Sequence, residues 1–276
     1  TTFNTKYIQA FQNLTGGSSV FTIPPQNGIT DIVCSFVFAG PSSTPGAVAL
    51  PRGWGYALIN RVSYRYGGSS QYFLTGAQIL QNALRSQPNR TACNDILTLG
   101  GNYATGSDLI GNQYANVVLT LPHNMPSGVG KQHPFPTDLL TQQVQITIEL
   151  NPPSSIFTNQ LNTTLPSWCN ALSSAQFQVA QIMMNNQGDC LARRVDMSVN
   201  AYAYPAEFVQ QQVSLPLGSM AGTPGDVNST SVALVATGFR AGEVKSLQMW
   251  LTRASDTATP ASTATASNPG YNPFYW

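Results

Sequence analysis

Residues 143–150 read Gln-Val-Gln-Ile-Thr-Ile-Glu-Leu, and this alternation constrains the chain more than any other feature. Strand side chains switch faces with period two, so Val144, Ile146, Ile148 and Leu150 line one side. Gln143, Gln145, Thr147 and Glu149 line the other, whereas in a helix both groups would scatter around the axis. Asn151-Pro152-Pro153 stops the strand, since proline lacks the N–H that a ladder needs. Residues 29–38 (ITDIVCSFVF) place Ile32, Cys34, Phe36 and Phe38 on one face and Val33 and Val37 on the other. A strand apolar on both faces is expected between two layers. Residues 58–66 set Val62, Tyr64 and Tyr66 against Arg61, Ser63 and Arg65, a half-exposed strand that a GGSS turn joins to QYFL.

The other segments follow the same logic. Ile79, Leu80, Ala83 and Leu84 recur at helical spacing over 77–86, and Pro88 follows as a stop. Residues 116–121 (NVVLTL) read as a strand, and 122–136 as a loop holding Pro122, Pro126, Pro134 and Pro136. A second set of strands is expected from about residue 175. It comprises AQFQVAQIMM, residues 195–203 (Val195, Met197, Val199, Ala201 and Ala203 in phase), VSLPL, STSVALVAT and VKSLQMWLTR, with PAEFVQQQ as a short helical turn. After Arg253 an Ala/Ser/Thr run reads as a surface loop. Strand–helix–strand alternation is absent, which disfavours a parallel sheet. The expected fold is all-β: two consecutive antiparallel sandwiches with one or two short helices, the first over 1–160 and the second over 161–276.

Composition narrows the function. Charged residues are 8% of the 276 and hydrophobic residues 42%, against roughly 25% and 45–50% in ordinary soluble domains. Asn, Gln, Ser and Thr replace the missing charge, which suits a surface that packs against its own copies. Net charge is +1. Arg52, Arg61 and Arg65 cannot make the concentrated basic face that phosphate neutralisation requires, so direct nucleic-acid binding is not expected. No apolar run reaches membrane-spanning length, and TTFNTKYIQAFQ does not read as a signal peptide. The chain begins without Met, as after processing. Cys34, Cys93, Cys169 and Cys190 are widely spaced and are expected as free thiols. Sequons stand at Asn13, Asn89, Asn162 and Asn228, as chance allows in a chain rich in Asn, Ser and Thr.

Catalytic readings are thin. His123 and His133 share the Pro-rich loop, and His133 with Asp138 and a serine lacks any nucleophile elbow or oxyanion hole. Cys169 and Cys190 lack the paired short spacing of a zinc site. The glutamates Glu149, Glu207 and Glu243 form no evident pair for glycoside hydrolysis, and Glu149 sits on the polar side of its strand. GGSS and GTPGD are turns rather than phosphate loops. No catalytic, cofactor or metal residue is therefore assigned. Trp54, Tyr56, Tyr64 and Tyr66 could stack on sugars, which keeps a carbohydrate-binding sandwich open, or they could fill the core and an interface.

Three stretches in order resemble the double jelly-roll major capsid proteins of large nucleocytoplasmic DNA viruses, virophages and adenovirus-like shells. They are INRVSYRYGGSSQYFLTG before a helix; NVVLTLPHNM with HPFPTDLLTQQVQITIEL; and ARRVDMSVNAYAYPAEFVQQQVSLPL with SVALVATGFRAGEVKSLQMWLTR. The resemblance implies a structural, non-enzymatic virion protein without cofactors. It implies a pseudo-hexagonal homotrimer that tiles an icosahedral shell, with strands upright from the shell surface and minor capsid proteins as further partners. Synthesis would be in the host cytoplasm or nucleus. Further strands usually follow the segment matched by VKSLQMWLTR, so an end at Phe274-Tyr275-Trp276 implies a compact or truncated second barrel. A single jelly-roll capsid or penton protein is the neighbouring alternative. Residues 1–15, 122–136 and 257–276 lack strand periodicity and are expected to need a partner to become ordered.

Overall fold

The computed structural model describes residues 2–24, 28–66, 70–85, 87–119, 126–127, 131–132, 137, 143–159, 165–184, 191–192 and 195. The strands are β1 (Thr2–Ala10), β2 (Gly17–Ile23), β3 (Gly28–Ala39), β4 (Val48–Leu50), β5 (Ile59–Tyr66), β6 (Ser70–Thr75), β7 (Ala104–Thr105), β8 (Asn112–Leu119), β9 (Pro126–Ser127), β10 (Lys131–Gln132), β11 (Val144–Leu150), β12 (Thr158–Asn159) and β13 (Ser174–Met184). Among the described residues, the helices α1 (Trp54–Leu58), α2 (Gly76–Arg85) and α3 (Arg90–Leu99) interrupt them.

The long strands form two four-stranded sheets, ordered β1-β13-β3-β8 and β2-β11-β5-β6. Every pairing in them is antiparallel. Counted along the chain, the first long strand pairs with the last, the second with the next to last, and so inward to the β5–β6 hairpin. That is a long hairpin rolled up so that successive strand pairs fall on alternate sheets, which is jelly-roll wiring. The small sheet β12-β4-β7 and the β9–β10 ribbon lie outside the two large sheets.

The apolar alternation does what the sequence requires. Ile32, Cys34, Phe36 and Phe38 of β3 face Val62 and Tyr64 of β5 and Val144, Ile146, Ile148 and Leu150 of β11 in one buried core. Rings bridge the layers: Phe21 of β2 stacks on Phe177 of β13, and Phe38 meets Trp54 and Phe157 at centroid distances of 5.2 and 5.0 Å. Helix α2 opens with a reciprocal cap of the kind Thr-x-x-Gln encodes. The Thr75 N–H donates to Gln78 Oε1 at 2.9 Å, and the Gln78 N–H donates to Thr75 Oγ1 at 3.3 Å.

Two expectations are corrected here. The segment AQFQVAQIMM, expected to open the second set of strands, lies between β1 and β3 inside the first sandwich. Its inward Phe177 and Val179 pack into the same core. The N-terminal arm, which lacks strand periodicity and is expected to need a partner to become ordered, is β1 over most of its length, and its partner is β13 of the same chain. Edge position explains the weak pattern: Tyr7 is only half-buried and Ile8 is exposed. The strands expected at 29–38, 58–66 and 144–150 are present as β3, β5 and β11, and the described parts of the strand expected at 116–121 and the helix expected at 77–86 are the end of β8 and α2. Of the strand expected at 195–203 only Val195 is described, and it is helical; the other stretches expected as strands up to residue 253, and the tail, lie outside the described residues.

Candidate functional site

Among the described residues the interior is built mainly from aliphatic and aromatic side chains. Trp54, Tyr56 and Tyr64, the candidate sugar-stacking rings, are 1% exposed or less and belong to the core. The Tyr66 side chain, His123, His133, Asp138, Cys190, Glu207 and Glu243 lie outside the described side chains. Among the described residues no three His, Cys, Asp or Glu side chains gather to hold a metal, and no helix is long and apolar enough to cross a membrane. Cys34, Cys93 and Cys169 are free thiols, as expected. Burial pushes the Cys34 thiol far above its ordinary range and Cys169 up to about 12, so neither supplies a thiolate nucleophile at neutral pH. Burial also pushes Tyr56 up to about 12, and raises Tyr64, whose ionisation the Cys34 thiolate would further oppose. The Tyr56 hydroxyl is drawn toward the Val118 backbone but completes no hydrogen bond there.

What remains is surface, and the strand registers define it. On the outer face of the β2-β11-β5-β6 sheet, Val20, Thr147, Ser63 and Phe73 form one uncharged row across all four strands. Beside it Arg61 and Glu149 are cross-strand neighbours whose side chains pair at 2.6 Å, placing Glu149 on the polar face its alternation indicates.

The outer face of the β1-β13-β3-β8 sheet is less charged still. One row runs Ile8–Gln178–Val33–Val118 and the next Ala10–Gln176–Ser35–Asn116. At one end the row is Lys6–Ala180–Asp31, and toward the other it is Ser174–Val37–Tyr114. Neutral amides and hydroxyls knit the middle: Gln178 Nε2 donates to Ser35 Oγ at 3.4 Å, and Ser35 Oγ donates to Asn116 Oδ1 at 2.7 Å. These rows were not legible without the registers, because a strand's periodicity names its faces but not its neighbours. The sequons Asn13 and Asn89 are exposed, in the β1–β2 loop and at the start of α3. Asn89 Oδ1 caps α3 by accepting the Ala92 N–H at 2.9 Å, a cap the sequence reading missed along with the helix itself.

The described residues thus form a two-sheet jelly roll whose outer faces carry few charges. No protein-family model matches the sequence, and no curated protein matches it. Solved structures do match in fold. The VP54 of PBCV-1, fitted as a crystal structure into a reconstruction of the virophage Sputnik, aligns with a TM-score of 0.50 at 14% identity, over 68% of this chain and 45% of its own. A quasi-atomic model of the PBCV-1 virus capsid aligns at the same score and identity, over 71% and 45%. The major capsid protein of STIV aligns with a TM-score of 0.37 at 16% identity, over 68% and 51%. The chain thus spans about half the length of these proteins. The likeness to the two PBCV-1 structures shows the fold: an all-β jelly roll, as the sequence reading expected.

Proposed function

We propose that this chain is a shell-building subunit of a virus, a major capsid protein of the double jelly-roll kind, located in the virion. The observation that carries the reading is the wiring of residues 2–184, in which two antiparallel sheets are closed by β13 between β1 and β3. The uncharged rows on both outer faces support it, because copies can then close by shape and hydrogen bonding without desolvating many ions. In this reading the first jelly roll ends at Met184 and the second is drawn from the residues after it. Three copies form a pseudo-hexagonal capsomer that tiles an icosahedral shell, with minor capsid proteins as further partners and no catalytic role. The buried Trp54, Tyr56 and Tyr64 weigh against a carbohydrate-binding sandwich.

The test is the mass of the purified protein by light scattering, with negative-stain images of the same sample. A stable trimer with a hexagonal outline is expected. A monomer that binds glycan, or a pentamer, overturns the reading in favour of a binding module or a single jelly-roll vertex protein.

A further inference from the structure

We infer that the outer face of the β1-β13-β3-β8 sheet is a contact between two copies of this chain, related by a two-fold axis parallel to the strands. The face exposes apolar side chains at both edges, Ile8 at 54% on β1 and Tyr114 at 62% on β8. Its charges, Lys6 and Asp31, share one cross-strand row, and among the described residues neither makes an ion pair. An exposed apolar surface of this kind marks an interaction site when a partner can match it.

The second copy is the partner the rows fit. A two-fold along the strands turns the sheet over without changing height along the strand, so each row meets itself in reverse order. At a sheet separation of about 10 Å, β1 then lies over β8 of the second copy and β13 over its β3. Ile8 meets Val118, Gln176 meets Ser35, and Lys6 comes beside Asp31, each pair occurring twice. A two-fold across the strands would instead set the Lys6–Ala180–Asp31 row against Ser174–Val37–Tyr114 and bury both charges without partners, at a cost of several kcal/mol per ion. Four strands and four rows cover roughly 500 Å² per copy, the size of a weak contact that closes a lattice. The inference rests on the capsid reading only for its place. If strands stand upright in the shell, this axis is normal to the shell and the contact joins neighbouring capsomers.

The test uses the full chain with Cys93→Ser and Cys190→Ser to clear background thiols. Ile8→Cys and Val118→Cys variants are made separately, mixed at high concentration, treated with a bismaleimide whose reach of about 10 Å matches the sheet separation, and run on a denaturing gel. Each variant carries one of the two probe thiols, so a link between them can only join two chains. A cross-linked dimer from the mixture, and from neither variant alone, is the expected result. Adding Lys6→Glu should cut its yield about fivefold, and Lys6→Glu with Asp31→Lys should restore it.

No cross-link from the mixture overturns the inference. So does an Ile8→Cys dimer formed equally well alone, which would mean edge pairing of β1. Protection of Ile8→Cys from thiol reagents at every protein concentration also overturns it, since the chain's own later residues would then cover the face. Light scattering separates the two readings: a stable trimer without the cross-link removes this contact and leaves the capsid reading, while a cross-linking monomer does the reverse.

Discussion

Phe21 and Phe177 stack with ring centroids 4.3 Å apart and planes within 10° of parallel. They come from β2 and β13, so the pair bolts one sheet to the other, and Phe11 adds an edge-on contact to Phe21 at 4.9 Å. Phe177 is fully buried, which makes its loss a cavity between the layers.

Phe177→Ala should therefore cost about 3–5 kcal/mol, the usual range for a buried ring. Ile8→Ala, on the outer face of the same sheet, should cost about 0.5 kcal/mol or less in dilute protein. Denaturant unfolding of the full chain followed by tryptophan fluorescence checks both, and equal losses would place Phe177 outside the sandwich core.

That stack also marks where sequence reading succeeds and stops. The strands β3, β5 and β11 declare themselves because their apolar residues repeat every second position against a buried face. The periodicity of β13 is equally legible, yet its partner β1 lies at the other end of the sandwich's sequence, and periodicity carries no information about pairing. The strands β1 and β2 hide behind Thr, Asn, Ser and Gly because each is an edge with little to bury on one side. Helix α3 has no fully buried residue, so no apolar stripe announces it, and its Asn89 cap reads equally well as a sequon. The candidate surface was legible only as a shortage of charge. Which neutral residues share a row depends on long-range register.

Gly101 is the most exacting position in the Gly-rich stretch after α3. Its φ is +115°, and a Cβ there would strike the Trp54 indole ring directly. Gly106, at φ +53°, faces open space. Gly106→Ala should cost about 1 kcal/mol, the left-handed backbone strain alone. Gly101→Ala adds a clash with a buried ring and should lose at least about 2 kcal/mol more, read as the difference in unfolding midpoints.

The buried acids make stability fall at high pH. Tyr56 is pushed up to about 12 in the folded chain by burial, against about 10 when unfolded. The folded state thus holds a proton that the unfolded state releases, so the stabilisation is complete below pH 10 and is lost as pH rises toward 12. Tyr56→Phe should flatten that alkaline limb and leave stability near pH 7 almost unchanged or slightly improved, because the hydroxyl it removes completes no hydrogen bond. Thermal melts across pH 8–12 provide the measurement, and an unaltered alkaline limb in the variant would contradict the assignment.

Thiol reactivity should rank by burial. Cys34 and Cys169 are fully buried while Cys93 on α3 is only half-buried, its Sγ directed at the Leu84 carbonyl at 3.7 Å. Mass-mapped alkylation of the native chain should label Cys93 at least about tenfold faster than Cys34 or Cys169, since only unfolding exposes the latter. Comparable native rates at all three would mean that the sandwich opens far more readily than its core suggests.

Salt tolerance is the prediction that follows from the surface as a whole. Arg61 and Glu149 already neutralise each other at 47% and 29% side-chain exposure, a pair of the kind worth at most about 1 kcal/mol. The opposite sheet carries one cation and one anion on its outer face. Contacts through such faces gain little from long-range attraction, so raising the salt from about 0.05 to 0.5 M should change the association constant less than about threefold. Apolar burial, if anything, gains slightly under salting-out conditions. Assembly driven by counterion release would instead weaken by orders of magnitude over that range. Sedimentation velocity at fixed protein concentration across the salt series separates the two, and a steep loss of assembly would mean that charges outside these two sheet faces govern it.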